Sequence, residues 1–239
     1  RKASNLSKQS HILAANIDMC LLVVTLREPV TLPVFIDRLL ATAEAYSVDV
    51  AIAINKADLL DADGYDAALE MARMYESIGY KTYITSVLQD RGLDCLAGDL
   101  KNKVTLLAGN SGVGKSALLN RLVPTANART SSISAAHLAG MHTTTFSAMY
   151  DLPGGGALID IPGVKGFGTF NFEKEEVSHY FREIFKVGRG CRFDNCIHVN
   201  EPGCAVLEAV KKGEIALSRY NSYLNMLDDK EEGKYRSGY

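Results

Sequence analysis

The chain has 239 residues, of which 47% are hydrophobic and 23% charged, and 26 basic residues against 28 acidic ones give a net charge of −2. This is enough for one α/β domain of ordinary size with a small appendage. A net charge of this size does not indicate nucleic-acid binding, which would therefore need a local basic patch. No apolar run reaches about 18 residues, so we predict no membrane span. Because the chain starts at Arg1 without a signal-peptide pattern, we expect it to follow an upstream segment.

Apolar patterning predicts alternating strands and helices over the first hundred residues. Residues 1–16 are polar and are interpreted as a linker or a remnant of the upstream region. After them we predict strands at 17–26, 48–54 and 83–87 and amphipathic helices at 31–46, 65–78 and 93–100. Continuous apolar strands separated by such helices are typical of an α/β fold with a mostly parallel sheet and helices on both faces.

The second strand runs directly into Asn55-Lys56-Ala57-Asp58, which fits the pattern N-K-x-D. A carboxylate such as Asp58 can accept from guanine N1–H and the exocyclic amino group together, and adenine offers no such donor pair. Asn55 would tie this loop to a phosphate loop, and the stem of Lys56 would cover one face of the ring. A solvated loop is the alternative. The end of the third strand, including Ser86, is similar to a loop that closes over guanine, although an ordinary strand end fits equally well.

A glycine-rich loop lies between a predicted strand at 103–108 and a predicted helix at 115–122. It fits the spacing G-x-x-x-x-G-K-[ST], and the residues expected at a bound nucleotide are Gly109, Asn110, Ser111, Gly112, Val113, Gly114, Lys115, Ser116 and Ala117. Strand, loop and helix in this order favour a phosphate site over an ordinary turn, because backbone N–H groups and the helix N-terminus attract an anion. Lys115 would reach the β- and γ-phosphates, and Ser116 would bind Mg²⁺.

The segment 124–141 is rich in small and polar residues and is predicted to be a mobile loop. It ends at His142 and a run of threonines, and a hairpin of strands at 146–152 and 156–161 follows. The second strand ends in Asp160-Ile161-Pro162-Gly163, which fits D-x-x-G. Asp160 would hold Mg²⁺ through water and Gly163 would meet the γ-phosphate, with Thr144, or else Thr143, completing the metal shell. A β-prone strand start is the alternative interpretation of the threonines.

The C-terminal part contains Cys191-x₄-Cys196-x-His198-x₅-Cys204, which suits one tetrahedral, structural Zn²⁺. A disulfide is the alternative, and it leaves His198 unexplained. Helices are predicted at 172–185, 205–212 and 214–227, and the charged tail 228–239 is predicted to be disordered. A basic patch for RNA phosphates, or merely a solvated face, would comprise Lys186, Arg189, Arg192, Lys211, Lys212 and Arg219.

The order of these motifs is unusual, because N-K-x-D precedes the phosphate loop, the threonines and D-x-x-G. In the usual nomenclature the order is G4-G5-G1-G2-G3. The motif set and the cysteine cluster resemble the RsgA (YjeQ) family, which are bacterial circularly permuted GTPases that act in late maturation of the small ribosomal subunit. The resemblance implies hydrolysis of GTP to GDP with Mg²⁺, and 30S subunits and 16S rRNA as partners. We expect a cytoplasmic monomer with a permuted GTPase domain at 17–170 and a zinc-knuckle module at 171–239.

Two features depart from the family pattern. Family members carry an N-terminal OB-fold, and no such barrel precedes residue 17. Met141 stands where the family usually has a basic residue. The resemblance also implies that His142 positions the attacking water, because Val164, and not a glutamine, follows Gly163; the alternative is a solvated loop histidine. A GTP-dependent RNA or ribosome adaptor with negligible hydrolysis is the alternative function.

Overall fold

A computed structural model describes residues 16–126, 128, 148–161 and 172–232. The described residues form two compact units, one that contains 16–31 with 48–161 and one that contains Leu32–Ser47 with 172–232. Nearly all of the predicted linker and most of the predicted loop 124–141 lie outside the described residues.

The first unit is built on a six-stranded sheet in the order β3-β2-β1-β4-β6-β5. Its strands are β1 Met19–Val24, β2 Asp49–Ile54, β3 Lys81–Ile84, β4 Lys103–Ala108, β5 Ala148–Asp151 and β6 Gly156–Asp160. Neighbouring strands are parallel except for β5, which pairs with β6 as the predicted antiparallel hairpin. The predicted α/β fold with a mostly parallel sheet is confirmed.

Every residue of β1 is buried, which explains why this strand is a continuous apolar run. The helices of this unit are α2 Ala62–Ser77, α3 Leu93–Leu100 and α4 Lys115–Leu122, and a 3-10 turn covers Ala57–Leu59. One core joins the sheet to α3 and α4; it includes Leu21, Val23, Leu96, Leu100, Leu118, Leu119 and Leu158. Full burial of each leucine contributes about 1.5–3 kcal/mol, so this core holds the phosphate-loop helix firmly on the sheet.

The second unit is helical. Its elements are α1 Pro33–Tyr46, α5 Lys174–Val177, a 3-10 turn Ser178–Tyr180, α6 Arg182–Gly188, α7 Ala205–Lys211 and α8 Leu217–Glu232. The predicted continuous helix 172–185 is wrong, because the chain is extended at Phe181 (φ −108°, ψ 101°). Phe181 is fully buried, with its ring edge-on to Tyr223 at 5.6 Å, and this packing outweighs the local preference for helix. Helix α8 also continues beyond the predicted end at residue 227, into the predicted disordered tail.

Arg219 is a buried residue of this unit and does not belong to a basic surface patch. Its guanidinium is 1% exposed and lies 2.7 Å from Asp37 on α1 and 2.6 Å from Glu183 on α6. The guanidinium also lies 4.6 Å from the centre of the Phe181 ring. Arg219 therefore links α1, α6 and α8, and its inclusion in the RNA-binding patch is corrected.

We expect Arg219→Met to destabilise the protein by about 3 kcal/mol, because it leaves two buried carboxylates without their shared counter-charge. Arg219→Lys retains the charge but not the planar fork, so its cost should be smaller. Urea unfolding followed by circular dichroism measures the difference. Arg38→Met is the matched control, since Arg38 bonds Asn225 between the same helices α1 and α8 at the surface. An equal loss of stability in both variants would contradict the role given to Arg219.

Candidate nucleotide site and metal centre

The predicted nucleotide-binding loops lie at the carboxyl ends of neighbouring strands. The base loop Asn55–Asp58 follows β2, the phosphate loop follows β4, and Asp160 ends β6. The order β2-β1-β4-β6 brings these strand ends to one edge of the sheet. In open α/β sheets, ligands bind in the crevice outside this edge.

The phosphate loop requires glycine at two positions. At Gly109 (φ +139°) an added Cβ would lie 2.2 Å from the carbonyl oxygen of Val23, and at Gly114 (φ +95°) it would lie 2.5 Å from Asn55 Nδ2. Neither the backbone angle nor the space admits a larger residue. Helix α4 starts directly after Gly114, which places Lys115, Ser116 and Ala117 on its first turn.

Lys115 lies over the phosphate loop and close to Asp160. Its Nζ donates to the carbonyl oxygens of Gly109 at 2.7 Å and Asn110 at 2.8 Å. Burial lowers the pKa of Lys115, and the Asp160 carboxylate opposes that shift. Burial raises the pKa of Asp160, and Lys115 opposes this in turn. The lysine ammonium, the Ser116 hydroxyl and the Asp160 carboxylate thus offer a cation and two hard oxygen ligands.

Asn55 connects the base loop with the phosphate loop. Its side chain is almost fully buried, and its Nδ2 donates to the carbonyl of Val113 at 2.9 Å. Its Oδ1 accepts from the hydroxyl of Thr85 at 3.1 Å, just beyond β3. One amide therefore holds together three loops that are distant in the sequence.

Asp58 is held by the segment that follows β3. The hydroxyl of Ser86 donates to Asp58 Oδ1 and accepts from the backbone N–H of Gln89 at 3.1 Å. Backbone hydrogen bonds in both directions join Ser86 to Arg91. An open cavity of about 430 Å³ lies beside Asp58 and is lined by Ala57, Asp58, Leu60, Asp61, Ala62, Tyr65, Gln89 and Arg91. Gln89 and Arg91 were not predicted to lie at the site, because they reach this cavity through a turn that no motif describes.

Several predicted site residues lie outside the described residues. These are His142, Thr143, Thr144 and Gly163. Their expected roles at the γ-phosphate and the metal therefore stay predictions.

The predicted ligands Cys191, Cys196, His198 and Cys204 come together in the helical unit. One ligand atom from each lies within 4.8 Å of all the others. The Sγ atoms of Cys191 and Cys204 are 3.8 Å apart, and each lies close to His198 Nδ1, at 3.5 Å and 3.4 Å. Burial lowers the pKa of His198, which favours the neutral imidazole that metals bind. The cluster could therefore hold a metal ion.

Hydrogen bonds with side chains fix the backbone around this cluster. Tyr220 donates to the carbonyl of His198 at 2.7 Å, and Tyr223 donates to that of Ile197 at 2.6 Å. The Glu201 carboxylate accepts from the backbone N–H groups of Ile197, Val199 and Asn200. These bonds orient the ligands independently of the metal, which is the usual task of groups outside the coordination shell.

The sheet and the loops at its carboxyl edge define a circularly permuted P-loop nucleotide-binding protein, in which the base loop precedes the phosphate loop along the chain. A family model described as RsgA GTPase matches residues 1–170. The chain belongs to this family, and it is accordingly a GTPase that hydrolyses GTP to GDP and phosphate.

Individual relatives agree with this assignment. A small ribosomal subunit biogenesis GTPase RsgA from Phocaeicola vulgatus is 56% identical over 239 residues, which is 100% of this chain and 77% of the relative. One of the same name from Porphyromonas gingivalis is 55% identical over 242 residues, with the same coverage. The crystal structure of YjeQ from Thermotoga maritima matches with a TM-score of 0.77 and 36% identity, over 91% of this chain and 73% of that one. YloQ, a circularly permuted GTPase, matches with a TM-score of 0.74 and 29% identity, over 93% and 71%.

None of the helices in the described parts of the chain is long and apolar enough to cross a membrane.

Proposed function

We propose that this GTPase acts in the maturation of the small ribosomal subunit, with the loops at the sheet edge as its guanine-nucleotide site. The main support for this site is the buried hydrogen bond from Asn55 to Val113. It joins the loop whose residues suit guanine to the loop whose residues suit phosphate. The names of the relatives, which are small ribosomal subunit biogenesis GTPases, support the biological role.

In this proposal, Asp58 recognises the guanine base. Ser86 holds one carboxylate oxygen in place, so the carboxylate can accept from guanine N1–H and from the amino group at C2. A carboxylate facing adenine would lose both partners, and an unpaired desolvated charge costs several kcal/mol. The aliphatic stem of Lys56 covers one face of the ring.

The phosphate loop and Lys115 hold the triphosphate. Backbone N–H groups of 109–116 surround the β-phosphate, and the Lys115 ammonium exchanges its two carbonyl partners for phosphate oxygens. Ser116 and Asp160, with Thr144 or Thr143, would hold Mg²⁺, which neutralises charge on the phosphates during hydrolysis. His142 orients the attacking water, because no glutamine follows Gly163.

Zinc is the metal that best fits the cysteine–histidine cluster. Around a tetrahedral zinc, bond lengths place two sulfurs about 3.8 Å apart and a sulfur and a nitrogen about 3.6 Å apart. The distances of 3.8, 3.5 and 3.4 Å among Cys191, Cys204 and His198 match these values. Four protein ligands leave no open position for substrate, so the ion is structural.

The helical unit carries a surface suited to RNA, which supports 30S subunits and their 16S rRNA as partners. Phe185 and Phe193 are 40% and 41% exposed, and each has an arginine over its ring: Arg189 at 5.0 Å and Arg192 at 5.5 Å. Arginines attract phosphates, and unpaired bases stack on guanidinium planes as well as on aromatic rings. Small-subunit assembly also implies that the protein acts in the cytoplasm, and we propose that it does so as a monomer.

The test is GTP hydrolysis measured with the protein alone, with purified small subunits and with large subunits as a control. We expect small subunits to accelerate turnover at least about tenfold, since ordering of catalytic groups by a partner raises slow intrinsic rates. ATP should not be hydrolysed under any of these conditions. Equal turnover with both kinds of subunit would contradict the ribosomal role, and efficient ATP hydrolysis would contradict the guanine site.

A further inference from the structure

Hydrogen bonds between two buried threonines, Thr25 and Thr31, join the two ends of the loop between β1 and α1. We name residues 25–31 the base strap. Thr31 N–H donates to the carbonyl of Thr25 at 2.8 Å, and Thr25 N–H donates to the hydroxyl of Thr31 at 3.1 Å. The Thr25 hydroxyl donates to the carbonyl of Pro29. With both threonines at most 2% exposed, these bonds are shielded from water and the loop has a defined shape.

The tip of the base strap contacts the base loop and its continuation. The carbonyl of Glu28, a residue with φ +47°, accepts from Lys56 Nζ. The guanidinium of Arg27 pairs with Asp61 at 2.6 Å and lies 3.4 Å from the carbonyl of Leu59. Asp61 also caps α2 by accepting from Gly64 N–H, so the ion pair is attached to a fixed point.

The other side of the base strap faces the phosphate loop. A Cβ added at Gly112 would lie 3.4 Å from the Pro29 ring, so the proline is in van der Waals range of that loop. The base strap therefore bridges the two loops of the nucleotide site at the surface, while Asn55 joins them in the interior. No motif covers these residues, and only 27–30 lie between the predicted strand 17–26 and the predicted helix 31–46.

We propose that Arg27 is a positioning residue for guanine-nucleotide binding. The Arg27–Asp61 pair holds the base strap in place, and the Glu28 carbonyl of the strap then accepts a hydrogen bond from the Lys56 ammonium. This bond keeps the lysine stem extended where one face of the base would pack against it. A lysine stem that is already fixed loses less conformational freedom when the base binds. This inference rests on the guanine site proposed above.

We expect R27A to weaken nucleotide binding without changing the rate at which bound GTP is hydrolysed. The base makes the same contacts in the bound substrate and in the transition state, so R27A should raise KM for GTP and leave kcat within a factor of about two. The Arg27–Asp61 pair is exposed, so the Kd values of fluorescent GDP and of a non-hydrolysable GTP analogue should both rise by only about three- to fivefold. R27K, which keeps the pair with Asp61, should restore most of the affinity.

R121A is the matched control. Arg121 forms a similarly exposed ion pair with Asp90 in the same unit, 2.7 Å long, away from the base loop. We expect R121A to bind nucleotides like the wild type. A double-mutant cycle with K56A then tests the route, because Arg27 acts through Lys56: in the K56A background, R27A should change the Kd less than about twofold.

The outcomes separate this inference from the proposed site. Normal binding by the wild type with R27A equal to R121A would overturn the role of the base strap alone. So would a full effect of R27A in the K56A background, which would show a contribution that does not pass through Lys56. A wild type without measurable affinity for guanine nucleotides would overturn the proposed site, and the base strap with it.

Discussion

Replacing Asp58 with Asn is expected to reverse the base preference of the protein from guanine to xanthine nucleotides. Xanthine carries a carbonyl oxygen at C2, where guanine carries an amino group. The new side-chain amide would donate to that oxygen, whereas it would face the guanine amino group donor to donor. Mismatched and restored hydrogen bonds at a buried edge together amount to about 3–5 kcal/mol, a factor of roughly 10²–10⁴ in the ratio of the two affinities.

The structure indicates that Asp58→Asn replaces one hydrogen-bond acceptor by a donor and keeps the orientation of the side chain. Ser86 donates to Asp58 Oδ1, which an asparagine retains as its carbonyl oxygen. The amide nitrogen then takes the place of Oδ2, so the variant keeps its orientation while one acceptor becomes a donor. Without such a partner, the side chain could rotate and present either atom to the base.

Competition of GTP, XTP and ATP against fluorescent GDP measures the preference. Ser86→Ala is the control, because it removes the orienting hydroxyl and keeps the carboxylate. That variant should bind more weakly while still preferring GTP over XTP. If Asp58→Asn continues to prefer GTP over XTP, the account of base recognition is wrong.

The positions of the proposed nucleotide loops were predictable, because each is a contiguous sequence pattern with a fixed chemical meaning. Gly109–Ser116 and Asn55–Asp58 follow buried apolar strands, and parallel strands place their carboxyl ends at one edge of the sheet. Knowing the loops and the strands is therefore enough to bring the two patterns together.

The remaining features depend on contacts between distant residues. A charged Arg219 on a helix looks like a surface residue until its two carboxylate partners, from α1 and α6, are known. Phe181 breaks a helix that its own neighbours favour, because its ring packs in the core beside Tyr223. The base strap is likewise not recognisable in the sequence, since the carbonyls of Glu28 and Pro29 make two of its contacts and any residue carries a carbonyl. Local pattern carries no information about such partners.

Removing one ligand of the cysteine–histidine cluster is expected to abolish zinc binding and the ordered packing of the helical unit. Zinc in such sites contributes an apparent binding free energy of about 10 kcal/mol or more near neutral pH, comparable with the whole stability of a domain. Cys204 is buried and directly precedes α7, and Val206 and Ala209 of that helix lie in the core of the unit. Cys204→Ala should therefore lose the metal and loosen this core together.

Metal content by mass spectrometry and near-ultraviolet circular dichroism measure the two losses separately. The dichroism signal includes Tyr220 and Tyr223, which are buried in this unit and bonded to the backbone beside the ligands, so loosening of this core should reduce it. Cys95→Ala is the matched control, because Cys95 is an exposed cysteine on α3 and no part of the cluster. It should retain one equivalent of zinc and the full signal.

Acidification should reproduce the loss in the wild type. Protons compete with the metal for thiolates and imidazole, so zinc is retained at neutral pH and released as the pH falls. Cys204→Ala should already be metal-free at neutral pH and show no further release. Full zinc retention by Cys204→Ala would show that the ion is held elsewhere, and tyrosine packing that survives metal loss would show that the helical core is stable without it.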